Sequence, residues 1–140
     1  MTGPSTGPST EDETTGWDWI GVALLTGCGA LAGLLEALLV PLYWGSWIFP
    51  IAILLALVSN VLFPWLASSL VPRTSAVLAP FVGWLVVVVG FGVVSRPEGD
   101  VILPGAPGNL EFVTYGVLLG GALAGTMTVV LASPPKRVNR

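Results

Sequence analysis

An all-α fold, an integral membrane four-helix bundle behind a disordered N-terminal tail, is what this sequence predicts, and three observations predict it. Of its 140 residues, 54% are hydrophobic and only 9% charged, whereas a soluble domain carries about a quarter charged residues. Four apolar stretches, 20–42, 47–70, 76–95 and 112–132, match or exceed the ~20 residues that cross a hydrocarbon core. Aromatic residues gather where those stretches end, as amphipathic rings do at the headgroup level.

Residues 1–16 are Gly, Pro, Ser, Thr and acids apart from the initial Met. Such a composition cannot bury enough surface to fold alone, so a disordered tail is expected. No positive charge precedes the first apolar run, and that run is longer than the core of a secretory signal. Trp17 and Trp19 then mark the entrance of the first helix.

The first span, 20–42, holds one charge, Glu36. A carboxylate at that depth costs about 2.5 kcal/mol or more on insertion scales, so it must be paired, neutralised or used. Gly29 and Gly33 stand at GxxxG spacing in the same helix. At 100° per residue, Gly29 lies about 20° and Gly33 about 60° from Glu36 around the axis. The acid therefore shares the small-residue face, which is the face buried against other helices. It lies some six residues from the outer end of the span, roughly 9 Å.

The second span, 47–70, follows a turn rich in Tyr43, Trp44, Trp47 and Phe49. It contains Asn60, and Pro64 four residues on removes the hydrogen bond that the Asn60 carbonyl would accept. Broken helices with free carbonyls bind ions in some transporters, but a static kink is the favoured reading here. The third span, 76–95, has Pro80 near its start and Trp84 in its middle, where a packing role is expected. The loop after it reads RPEGDVILPGAPGNLE, with turn residues at both ends of a small apolar island. In the fourth span, 112–132, Gly116, Gly120 and Ala124 form one stripe, while Gly121 and Gly125 fall on nearly the opposite side. The predicted last helix has two close-approach faces, one for its own bundle and one for a second copy or a membrane-complex partner.

Basic residues set the orientation. Arg73, Lys136, Arg137 and Arg140 fall on one side with the N-terminal tail, and Arg96 on the other. The excess of positive charge predicts both termini in the cytoplasm. Short first and second connections predict that consecutive helices are antiparallel neighbours.

Arg96, at the end of the third span, and Tyr115, one turn into the fourth, are the expected partners of Glu36. Asn60 lies deeper and is a less natural one. Together these four residues form the candidate buried polar set. Cys28 is the lone cysteine and the chain has no His, so disulfide, metal-site and cofactor expectations are all absent. Nothing suggests nucleic acid; the lipid bilayer is the expected medium. A non-enzymatic accessory or scaffolding protein is the favoured function. A small proton-coupled transporter using Glu36 is the alternative, weakened because only Thr26 and Cys28 offer polarity on the cytoplasmic half of the first helix.

The stretch SRPEGDVILPG, followed by YGVLLGGALAG in the last span, resembles a family of small uncharacterised four-span membrane proteins of actinobacteria. The likeness runs from about Trp17 to Ala132. It implies a bacterial plasma membrane and carries no activity or residue role with it.

Overall fold

The computed structural model describes residues 14–44, 47–93 and 109–135. Its helices are α1 (Gly16–Leu39), α2 (Ile51–Leu70), α3 (Thr74–Val93) and α4 (Asn109–Ala132). Each is long and apolar enough to cross a bilayer, which makes this a multi-pass membrane protein. The tail before residue 14, the loop with Arg96 and the basic residues after 135 lie outside the described residues.

Local chemistry moves several boundaries from those expected. α1 starts ahead of the apolar run because Asp18 accepts the Thr15 backbone N–H at 2.8 Å, a helix-initiating arrangement. It ends at Leu39, not 42. Residues 47–50, expected to begin the second helix, instead complete a small hairpin. There β1 (Tyr43–Trp44) pairs antiparallel with β2 (Trp47–Ile48), Trp44 opposite Trp47. The Phe49 N–H closes its base on the Leu42 carbonyl at 3.0 Å. Pro50, whose ring removes a donor, then stands just before α2. α2 runs unbroken through Pro64, which is fully buried, so no discontinuous helix is formed.

Lipid tails are as apolar as leucine, so helix association depends on close packing rather than on hydrophobicity. The side chains obey that rule: Ala37, Ala52, Ala56, Ala67 and Ala76 are fully buried, while Leu24, Leu54, Val86, Leu119 and Leu123 point outward. Trp84 is the largest fully buried side chain.

The most extensive contacts join alternate helices, α1 with α3 and α2 with α4, rather than consecutive ones. These pairs are parallel, as their register shows. A Cβ at Gly29 would lie 2.5 Å from the Pro80 carbonyl oxygen, and one at Gly33 would lie 3.1 Å from that of Trp84. In return, a Cβ at Gly83 would lie 2.8 Å from the Thr26 carbonyl oxygen. The two backbones therefore touch through reciprocal glycines, an approach closed to any residue with a side chain. Consecutive helices α1 and α2 are antiparallel, with Gly21 against Leu70 and Glu36 bonded to Ser59.

α4 occupies the groove between α2 and α3 and uses both of its glycine faces there. Gly116 abuts Ile53, and Gly120 is near Leu57, whereas Gly121 abuts Trp84 and Gly125 abuts Phe81. Both faces are therefore used within the chain. The reason is geometric: a helix seated between two others needs two close-approach faces at once. Its outward stripe instead carries Phe112, Tyr115, Leu119, Leu123, Met127 and Val130.

These contacts rank the glycines. Gly29→Ala and Gly121→Ala should each cost about 1–3 kcal/mol through overpacking. Gly27→Ala, with nothing within 4 Å, and Gly120→Ala, whose nearest neighbour is at 3.6 Å, should stay within about 0.5 kcal/mol of the parent. Equilibrium unfolding in mixed micelles reads the difference. Equal losses across the four variants would mean that the helices are not packed in this register.

Candidate functional site

Glu36 stands in the last turn of α1, where its backbone carbonyl accepts the Val40 N–H at 3.1 Å. Despite that position its side chain has 0% exposure. Side chains on a helix lean toward its N-terminus. The carboxylate therefore points away from the hairpin and into the middle of the bundle. There it meets two donors from two other helices. Ser59 Oγ, in the middle of α2, donates to Oε1 at 2.8 Å. Trp84 Nε1, in the middle of α3, donates to Oε2 at 2.5 Å. One carboxylate thus holds three helices together.

A hydrogen bond to a charged group is worth about 1.5–3 kcal/mol, and an orphaned buried donor costs about 1–3 kcal/mol. Neither donor has another acceptor of equal quality. The indole N–H can only donate, and in hydrocarbon it must find an acceptor. Val88, Val40, Ala37 and Ala56 belong to the same buried apolar cluster as Trp84.

The polar contacts continue along α2. Ser59 Oγ is also 3.3 Å from the Ala56 carbonyl oxygen, and Asn60 Nδ2 donates to that same oxygen at 3.0 Å. Asn60 is 2% exposed, yet its Oδ1 has no donor. Exchanging its amide atoms would set Oδ1 against the Ala56 oxygen and lose the one bond it makes, so the orientation is fixed. The result is a connected row from Glu36 through Ser59 and the Ala56 carbonyl to Asn60.

α4 enters through Trp84. The indole stacks on Phe81 with ring centroids 6.1 Å apart and planes 14° apart. Its outer edge fills the space at Gly121, where a Cβ would lie 2.5 Å from the ring. The same Cβ would lie 3.3 Å from Asn60 Nδ2. α4 thus braces the indole that binds the acid.

Of the residues the sequence singled out, Glu36 and Asn60 belong to this row. Tyr115 does not: it is 53% exposed. α4 runs parallel to α2, so its side chains lean toward the hairpin end while that of Glu36 leans away. Arg96 lies outside the described residues. Ser59 and Trp84, the direct partners, were not among the expected ones. One signal pointed to Trp84, since an indole N–H at mid-span needs an acceptor and Glu36 is the strongest one nearby. Ser59 carries no comparable signal, because serine is common in membrane helices and often bonds its own backbone, as Ser68 and Ser69 do here.

Among the described residues no group of acids and thiols could hold a metal ion. Both carboxylate oxygens already accept N–H or O–H hydrogens. Cys28 is exposed on the outer surface of α1. Two grooves along the bundle are apolar: one of about 430 Å³ is lined by Leu57, Val58, Val61, Leu62 and Trp65, and another of about 330 Å³ by Val86, Val87, Gly90 and Phe91.

No family model, curated protein or solved structure matches this chain. The loop part of the actinobacterial resemblance, 95–105, lies outside the described residues.

Removing the acid should be costly in proportion to the donors it strands. Glu36→Leu leaves the Trp84 hydrogen unpartnered and the Ser59 hydrogen only the longer bond to the Ala56 carbonyl, and should destabilise the bundle by about 2 kcal/mol or more. Glu36→Gln should cost far less: its carbonyl accepts from Trp84 and its amide donates to Ser59 Oγ, freeing that hydroxyl for Ala56. Unfolding in mixed micelles orders the two variants, and Glu36→Gln as damaging as Glu36→Leu would contradict this bonding pattern.

Proposed function

We propose that this protein is a non-enzymatic accessory or scaffolding component of a bacterial plasma membrane, with both termini in the cytoplasm. The observation that carries the reading is the state of Glu36. It is sealed from solvent, and each of its oxygens is committed to a donor that also fixes a helix. A carboxylate so placed acts as a strut.

The state of the polar side chains near the middle of α1 supports the same reading over transport. On the half of α1 nearer the N-terminus, the Thr26 hydroxyl is bonded to its own Val22 carbonyl at 2.8 Å and Cys28 faces outward. The two grooves described above offer only apolar side chains. A carrier alternating between proton and cation needs a route to its acid from each side. The cytoplasmic placement of the ends rests on the four-to-one distribution of basic residues. The bacterial membrane rests on the resemblance in the loop and last span.

Two measurements test the proposal. Lipophilic cations added to purified protein in detergent should release no protons; a release abolished by Glu36→Gln would favour the transporter instead. For the orientation, in a Cys28→Ser background, Leu103→Cys should react with a membrane-impermeant maleimide in intact cells and Arg73→Cys should not. The reverse pattern would invert the topology.

A further inference from the structure

We propose that Glu36 and Ser59 form a reversible proton-binding site, in which the Ser59 hydroxyl hydrogen switches between two acceptors as the acid gains and loses one proton. This goes beyond the scaffolding role and does not depend on it: a proton that enters and leaves from one side suffices, whereas a carrier needs a route from each side.

Geometry carries the proposal. Ser59 has one hydroxyl hydrogen and two acceptors within reach, Glu36 Oε1 at 2.8 Å and the Ala56 carbonyl oxygen at 3.3 Å. With Glu36 ionised, that hydrogen points to Oε1. When a proton from water binds Oε1, the new O–H donates to Ser59 Oγ, and the Ser59 hydrogen turns to the Ala56 oxygen. That carbonyl already accepts the helical Asn60 backbone N–H and Asn60 Nδ2 at 3.0 Å, so the Ser59 hydrogen joins them as a third, weaker donor at 3.3 Å. Only the carboxyl O–H bond is made, and no heavy atom needs to move. Trp84 donates to Oε2 in either state, which assigns the proton to Oε1. Each charge state thus leaves both the Ser59 and the Trp84 hydrogens with an acceptor.

The surroundings agree. From α2 the carboxyl meets Ser59, and from α3 it meets Trp84, neither of which is charged. The charged groups on the elements packed around it are Arg73 before α3, Asp18 in the first turn of α1 and Glu111 in the first turn of α4. None of them makes a hydrogen bond or an ion pair with Glu36 among the described residues. The row is moreover short of donor hydrogens: Asn60 Oδ1, also buried, has none. A cation is a poorer occupant than a proton, since a metal ion would have to displace the indole and hydroxyl hydrogens that already point at both oxygens.

Infrared spectra of the full chain in lipid nanodiscs, recorded across a pH titration, test this directly. The expected result is a protonated-carboxyl carbonyl band that appears and disappears reversibly with pH and is missing in Glu36→Gln. Ser59→Ala keeps the acid but removes its hydrogen-bond partner. It should shift the frequency of that band and displace its midpoint by about one pH unit, the size expected for one hydrogen bond. Arg96→Gln should leave band and midpoint in place. Glutamate labelled with carbon-13 assigns the band in Ser59→Ala if Glu36→Gln fails to fold. A band absent at every pH, a band indifferent to Ser59→Ala, or a titration altered as strongly by Arg96→Gln would each overturn the proposal.

Discussion

The rest of the bundle depends on one carboxylate being shared between two helices other than its own. Glu36 binds Ser59 of α2 and Trp84 of α3. Helices in a bilayer gain little from burying apolar surface against one another, so directional bonds weigh more than they would in water. The acid supplies two of them at one point, and it fixes rotation as well as distance. A turn of α1 by one residue would swing the carboxylate about 100° away from both donors. The cost of a buried acid is thereby converted into a specification of which faces meet.

Close packing extends that specification outward. Trp84 cannot shift without losing its bond to Glu36, so its ring is a rigid wall for α4, and Gly121 is the residue that tolerates it. The reciprocal glycines Gly29 and Gly83 place α1 against α3 at backbone contact. That approach brings the Trp84 indole within reach of the acid in the first place. Polar clamp and glycine seam are two parts of one arrangement: the seam sets the distance and the clamp sets the register. The same arrangement accounts for the pattern of side-chain size, with alanine, glycine and serine inside and large apolar residues toward lipid.

A buried strut and a proton site are compatible roles for the same carboxyl. The hydrogen bonds that hold the helices persist in both charge states, because a single hydroxyl can redirect its hydrogen. Charge then changes at the centre of the bundle without any packing contact being lost. For an accessory protein, such a site would let the electrostatics of the membrane interior respond to protons while the scaffold keeps its shape.

Much of this was legible in the sequence alone. The four spans follow from hydropathy, which each residue contributes independently of its partners. Glu36 and Gly29 share a face by the arithmetic of the helix, and the glycines of the last span fall on two faces by the same rule. What the sequence determined, then, is the class, the spans and the existence of a buried acid on a packing face. The tertiary structure decided which groups reach that acid, that alternate helices rather than consecutive ones pack most closely, and that both glycine faces of α4 are used within the chain. The physical reason is that hydropathy and helical periodicity are properties of one helix at a time. Partnership depends on the direction in which side chains lean along neighbouring helices and on where two backbones can touch, and neither exists until the helices are placed together.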